Sequence, residues 1–126
     1  MKHYESGFGL RSLLKSFKNA YRGIHVLARA EYNLYIQIIC AILITILGVY
    51  FSISFIEWAL QFLVIGLVIF SELINTAVEK IMDFVHSEYS DKVKDIKDLS
   101  AGAVLFTVLI SLVVAFCIYF PKIFLS

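Results

Sequence analysis

Three apolar stretches dictate what this chain can become, and the shortest of them is the most restrictive. Only fourteen uncharged residues, 58–71, separate Glu57 from Glu72. At about 1.5 Å per helical residue they reach about 21 Å, short of a hydrocarbon core roughly 30 Å thick. On either side lie residues 32–56, 25 in a row without a formal charge, and residues 99–121, another 23. Each of these is long enough to cross a bilayer. A turn around residues 52–54 sends the middle segment back through the membrane. To complete its crossing it must carry Glu72, and Asn75 with it, into the inner part of the bilayer. Residues 72–85 contain no Gly or Pro and continue as helix. A 126-residue chain that is 60% apolar has too little interior to hide that surface from water, so lipid is its solvent. Lipid offers the backbone no hydrogen bonds, which makes the spans helical. The expected architecture is all-α and integral to the membrane, one domain over residues 1–126. It has spans at about 32–53, 55–85 and 96–121, preceded by an amphipathic surface helix at about 8–29.

Charge sets the orientation. Lys2, Arg11, Lys15, Lys18, Arg22 and Arg29 precede the first span, and Lys80, Lys92, Lys94 and Lys97 lie between the second and third. The first loop has no basic residue and the C-terminal tail has Lys122 alone. Cytoplasmic segments collect Lys and Arg, so the N-terminus is expected inside and the C-terminus outside. In the first thirty residues Leu10, Leu13, Leu14, Phe17, Tyr21, Ile24 and Ala28 recur at spacings of three and four. Arg11, Lys15, Lys18, Arg22 and Arg29 form a second stripe. Such a helix lies in the headgroup plane and is drawn to anionic lipid. This segment lacks the compact apolar core of a cleavable leader. The basic stripe is explained by the adjoining membrane, and no nucleic-acid partner is expected. Cys40 and Cys117 lie inside apolar runs with no metal-binding spacing and read as small hydrophobes.

One face needs a chemical explanation. Glu72, Asn75, Thr76, Glu79 and Asp83 fall on one side of a helix. A carboxylate inside the membrane costs roughly 2.5–3.5 kcal/mol on insertion scales, and residues that bear this cost are usually functional. Three carboxylates along one stripe also repel one another and call for a cation. Glu31, at the inner start of the first span, is expected at the depth of Glu79. A Glu31/Glu79 pair with a polyphosphate suits Mg²⁺, which usually takes one or two carboxylates and fills its octahedron with phosphate oxygens and water. Asp91, Lys92 and Asp95 read as ordinary solvated surface. The six glycines are scattered, and neither GxxxxGK[ST] nor GxGxxG occurs, so any nucleotide must be held by a helical site.

The segment from Glu72 to Glu79, Glu-Leu-Ile-Asn-Thr-Ala-Val-Glu, resembles the E-x-x-N-[ST]-A-[IV]-E signature of prokaryotic diacylglycerol kinases, a family that includes undecaprenol kinases. Lys97-Asp98-Leu-Ser-Ala-Gly-Ala-Val-Leu105 is similar to the family's K-D-x-x-[AS]-[AG]-A-V-L segment. Arg22-Gly23-Ile24, followed by Glu31-x-Asn33, resembles its first conserved block. The likeness runs from about residue 16 to residue 105. It implies a homotrimer of three-span subunits in a bacterial cytoplasmic membrane, with active sites shared between neighbours. It implies Glu72 as catalytic base, Glu31 and Glu79 as metal ligands that position ATP, and nucleotide contacts from His86, Ser87, Glu88, Lys97 and Asp98. His86 departs from the family, where Gly or a small residue is common. The extreme N-terminus drifts out of alignment, so Arg11 and Lys15 receive no nucleotide contact.

The expected activity is phosphoryl transfer from ATP to the primary hydroxyl of a membrane lipid, a problem of positioning and charge. Glu72 accepts the proton of the attacking hydroxyl, and Asn75, one turn away, orients that carboxylate or the leaving phosphate. Diacylglycerol is the first expectation for the lipid, with undecaprenol as the alternative. A proton-coupled transporter also buries a glutamate in an oligomer of short helices, but it gives no role to Glu79, Lys97 or Asp98. A structural subunit that binds a partner through its helices is a third possibility. In that case neutralising Glu72 costs assembly rather than catalysis.

Overall fold

A computed structural model describes residues 9–125. Lys2 of the basic count and the expected helix start at residue 8 lie outside them. The chain runs α1 (Leu10–Ala30), α2 (Tyr32–Tyr50), α3 (Phe55–Val85) and α4 (Asp91–Phe124), with no strand among the described residues. By length and apolar composition, α2, α3 and α4 can each cross a membrane.

Each boundary has a local cause. Glu31 alone breaks the helix between α1 and α2. Its backbone is extended, at φ −122° and ψ 113°, while its N–H still closes α1 by donating to the Leu27 carbonyl. Leu27 and Leu34, one on each side of this break, are buried. The corner after α2 carries Ser52 at φ +50°, a left-handed conformation rare for a residue with a Cβ. Ser54 then starts α3 with a capping box. Its hydroxyl accepts from the Glu57 N–H at 3.2 Å, and the Glu57 carboxylate accepts from the Ser54 N–H at 3.3 Å. Gly48 leaves room for Trp58 at this corner, since a Cβ there would lie 2.7 Å from the indole.

At the opposite end Ser90 caps α4, its hydroxyl accepting from the Val93 N–H. The helix therefore begins at Asp91, five residues before the span expected from apolarity alone, and residues 91–95 are helical rather than loop.

The α3–α4 hairpin is held by pairs in one antiparallel register. Glu57 meets Lys122 at 2.5 Å, and Gln61 accepts from the Tyr119 hydroxyl. Ser71 shares a hydrogen bond with Thr107 at 2.9 Å, Ser100 donates to Asn75, and Lys97 meets Asp83 at 2.6 Å. The molecule is apolar outside and polar within. Gln61, Ser71, Glu72, Asn75, Thr76 and Thr107 are all buried, while Leu43, Ile46, Phe62, Leu63, Phe70, Phe106 and Phe116 are exposed. That inversion is what a lipid solvent selects, because apolar surface costs nothing there and polar groups must find one another.

Candidate active site

The Glu57–Lys122 ion pair fixes one end of the hairpin. Counting along α3 from Glu57, Glu72 lies about 22 Å away, Glu79 about 33 Å and Asp83 about 39 Å. A hydrocarbon core is roughly 30 Å thick, so along α3 Glu72 falls within a membrane's span of Glu57 and Glu79 just beyond it. Glu72 is the most enclosed large side chain of the described residues, 1% exposed. A carboxylate at that depth needs a donor, and α2 supplies one. The Gln37 side-chain nitrogen donates to Glu72 Oε2 at 3.0 Å.

One turn along, Asn75 is also buried, and its Oδ1 accepts from the Ser100 hydroxyl on α4 at 2.7 Å. Thr76 is enclosed too, and its hydroxyl has no hydrogen-bond partner. Glu79 follows, half-buried, where the Glu31 side chain meets it and Asn75 and Lys97 act on it as well. The break at Glu31 thus serves the site. It ends α1 and puts a carboxylate from the start of α2 against the last turns of α3. Two carboxylates in contact repel unless a cation or a proton lies between them. Among the described residues no three acidic, His or Cys side chains surround one point. Glu31 and Glu79 could hold a metal here, the two carboxylates that Mg²⁺ usually takes beside phosphate oxygens and water.

The nucleotide residues expected from the sequence gather separately. His86, Ser87, Glu88, Lys97 and Asp98 line one cavity of about 360 Å³, together with Asp83, Tyr89, Ser90 and Lys94. His86 caps α3 in an extended conformation, and its N–H donates to the Met82 carbonyl. A side chain with a Cβ is therefore tolerated at this position. Lys97 bridges to Asp83 and Asp98 to Lys94, both at the exposed rim. A polyphosphate entering here would compete with two carboxylates for these lysines.

A second cavity, of about 370 Å³, opens between α2, α3 and α4. It is lined almost wholly by apolar groups such as Ile36, Cys40, Ile44, Val64, Val68 and Leu112. Gln37 is also part of its wall, so the amide that holds the buried carboxylate borders hydrocarbon space. Reading the sequence singled out neither Gln37 nor Ser100. Their signal was present: each is an uncharged polar residue in or beside an apolar run, facing the acidic stripe. Neither carries the charge that drew attention to α3.

The profile of the prokaryotic diacylglycerol kinase family matches residues 18–119. Undecaprenol kinase of Bacillus subtilis is 37% identical over 113 residues, 90% of this chain and 92% of that protein. Diacylglycerol kinase of Helicobacter pylori is 33% identical over 96 residues, covering 75% of this chain and 74% of that protein. Diacylglycerol kinase of Synechocystis is 30% identical over 111 residues, 87% of this chain and 63% of that protein.

Proposed function

The chain belongs to the prokaryotic diacylglycerol kinase family and is a lipid kinase, and we propose that it transfers the γ-phosphoryl group of ATP to the primary hydroxyl of a long-chain membrane alcohol. The observation that carries this reading is the Glu72 carboxylate, 1% exposed and held by an amide donor that itself borders apolar space. A base in that position meets a lipid hydroxyl arriving sideways from the inner leaflet.

Glu72 takes the hydroxyl proton as the alcohol oxygen bonds to phosphorus and the bond to the departing ADP breaks. Asn75, fixed by Ser100, holds its amide one turn away, toward the phosphate. His86, Ser87 and Glu88 line the nucleotide cavity, and Lys97 and Asp98 stand at its rim. Glu31 and Glu79 would hold Mg²⁺, which when bound neutralises phosphate charge. The N-terminus lies in the cytoplasm and α1 rests on the inner headgroups, with Arg11, Lys15, Lys18 and Arg22 toward anionic lipid. Three copies assemble through the exposed apolar faces, with sites shared between neighbours.

For the acceptor we favour undecaprenol over diacylglycerol. The support is the greater identity and the fuller two-way coverage shared with the undecaprenol kinase. The test is a side-by-side assay of the purified protein with labelled ATP and Mg²⁺, in mixed micelles of either alcohol. Faster transfer to undecaprenol is expected. Preference for diacylglycerol would overturn the choice of lipid. Full turnover by Glu72→Gln would remove Glu72 as the base.

A further inference from the structure

Gln37 does more than satisfy a buried carboxylate. It is the donor that the structure places on Glu72, at 3.0 Å, and it comes from a different helix. Its own Oε1 is buried with no hydrogen-bond partner. A buried amide oxygen without a partner carries a desolvation cost, so the side chain is held against Glu72 at the expense of its own oxygen.

We propose that Gln37 is a positioning residue for the proton transfer, serving Glu72 both before and after it takes the proton. The inference rests on Glu72 being the base. An ionised carboxylate only accepts hydrogen bonds, so the amide must turn its nitrogen toward Glu72 while the base is charged. That grip on Oε2 leaves the other carboxylate oxygen to face the hydroxyl. When the alcohol O–H bond breaks, the O–P bond forms and the bond to the departing ADP breaks, the proton passes to that other oxygen. Oε2 stays an acceptor, so the Gln37 N–H holds the neutral acid as it held the carboxylate, and no water is required in a site that is almost fully enclosed. Gln37 also lines the apolar cavity, so it stands where the lipid chain meets the reacting end.

The experiment compares Gln37→Met, Gln37→His and Glu72→Gln in the purified full chain. Each is assayed with labelled ATP and lipid alcohol and checked for thermal unfolding and oligomeric size. Methionine keeps the length and loses both polar atoms. Histidine places a nitrogen at the same ε position, and neutral imidazole can donate or accept. Gln37→Met should lower kcat on the order of 100-fold, the cost of a misplaced reacting group, with KM for ATP unchanged. Gln37→His should restore most of kcat. The proposal is overturned if Gln37→Met keeps wild-type kcat, or if its whole effect lies in KM for ATP. It is also overturned if a folded Gln37→His is as inactive as Glu72→Gln. That last comparison stands even where Gln37→Met fails to fold. Wild-type turnover by Glu72→Gln is a separate result, and it refutes the base assignment itself.

Discussion

Replacing Tyr119 with Phe separates the part of this fold that holds the helices from the part that reacts. The Tyr119 hydroxyl lies 2.5 Å from Gln61 Oε1 and 3.1 Å from the Ile44 carbonyl, tying α4 to α3 and α2 at once. Gln61 is 3% exposed, so water cannot take over when the hydroxyl goes. Hydrogen bonds between membrane helices are worth about 0.6 kcal/mol on average and at most about 1.7. An orphaned buried acceptor costs about 1–3 kcal/mol. The two ranges overlap at about 1–1.7 kcal/mol, and that is the expected loss of stability. Heating in detergent, followed by size exclusion, should show a lower midpoint of several degrees. Gln61 is eleven residues from Glu72, or about 17 Å along α3, so kcat and KM for ATP should not change. Adding Gln61→Leu should bring the midpoint back toward wild type, because removing both partners leaves nothing orphaned. An unchanged midpoint in the single variant would refute the reasoning. So would a double variant weaker than the sum of its parts.

Lys97→Met removes one of the two lysines at the rim of the proposed nucleotide cavity and should raise KM for ATP about tenfold or more, since a hydrogen bond to a charged group contributes about 1.5–3 kcal/mol; steady-state kinetics at saturating lipid reads this directly. Glu31→Gln leaves Glu79 as the one carboxylate of the pair, so half-maximal activity should need several times more Mg²⁺, and chelation should silence the wild type; a titration of rate against Mg²⁺ checks both. Gly48→Val forces carbon into the Trp58 indole and should destabilise by about 1–3 kcal/mol, visible as a lower unfolding midpoint with unchanged KM for ATP. Ser100→Ala strips the donor from the buried Asn75 amide oxygen and should lower kcat more than it lowers the midpoint.

The helices of this fold were legible because each apolar run had one possible use. Their boundaries were not, since caps rather than apolarity decide them. Ser90 begins α4 at Asp91, in a stretch whose alternating Lys and Asp read as loop. The site was half legible. Glu72, Asn75 and Glu79 stood out because charge in an apolar helix is costly, and the structure puts them on the buried side of α3 or at its edge. Glu31 could be matched to Glu79 by depth, and the two side chains do meet. Gln37, Ser100 and Thr107 escaped because an uncharged polar residue costs little in a span. Only the packing of three helices shows which of them face the carboxylates.

Depth and register are one constraint in this molecule. Sliding α4 by a single turn moves it about 5.4 Å. That would part Lys122 from Glu57, Thr107 from Ser71 and Ser100 from Asn75 together. No other register satisfies all three, so the hairpin has one setting. The setting puts Lys97 level with Asp83 at the rim and leaves Glu72 buried eleven residues deeper. Eleven residues of α3 are about 17 Å; on the mechanism proposed above, that is the span between the nucleotide at the rim and the lipid hydroxyl, and the polar pairs of the hairpin set it. A change at Thr107, which touches neither cavity, should alter kcat if it lets the register slip.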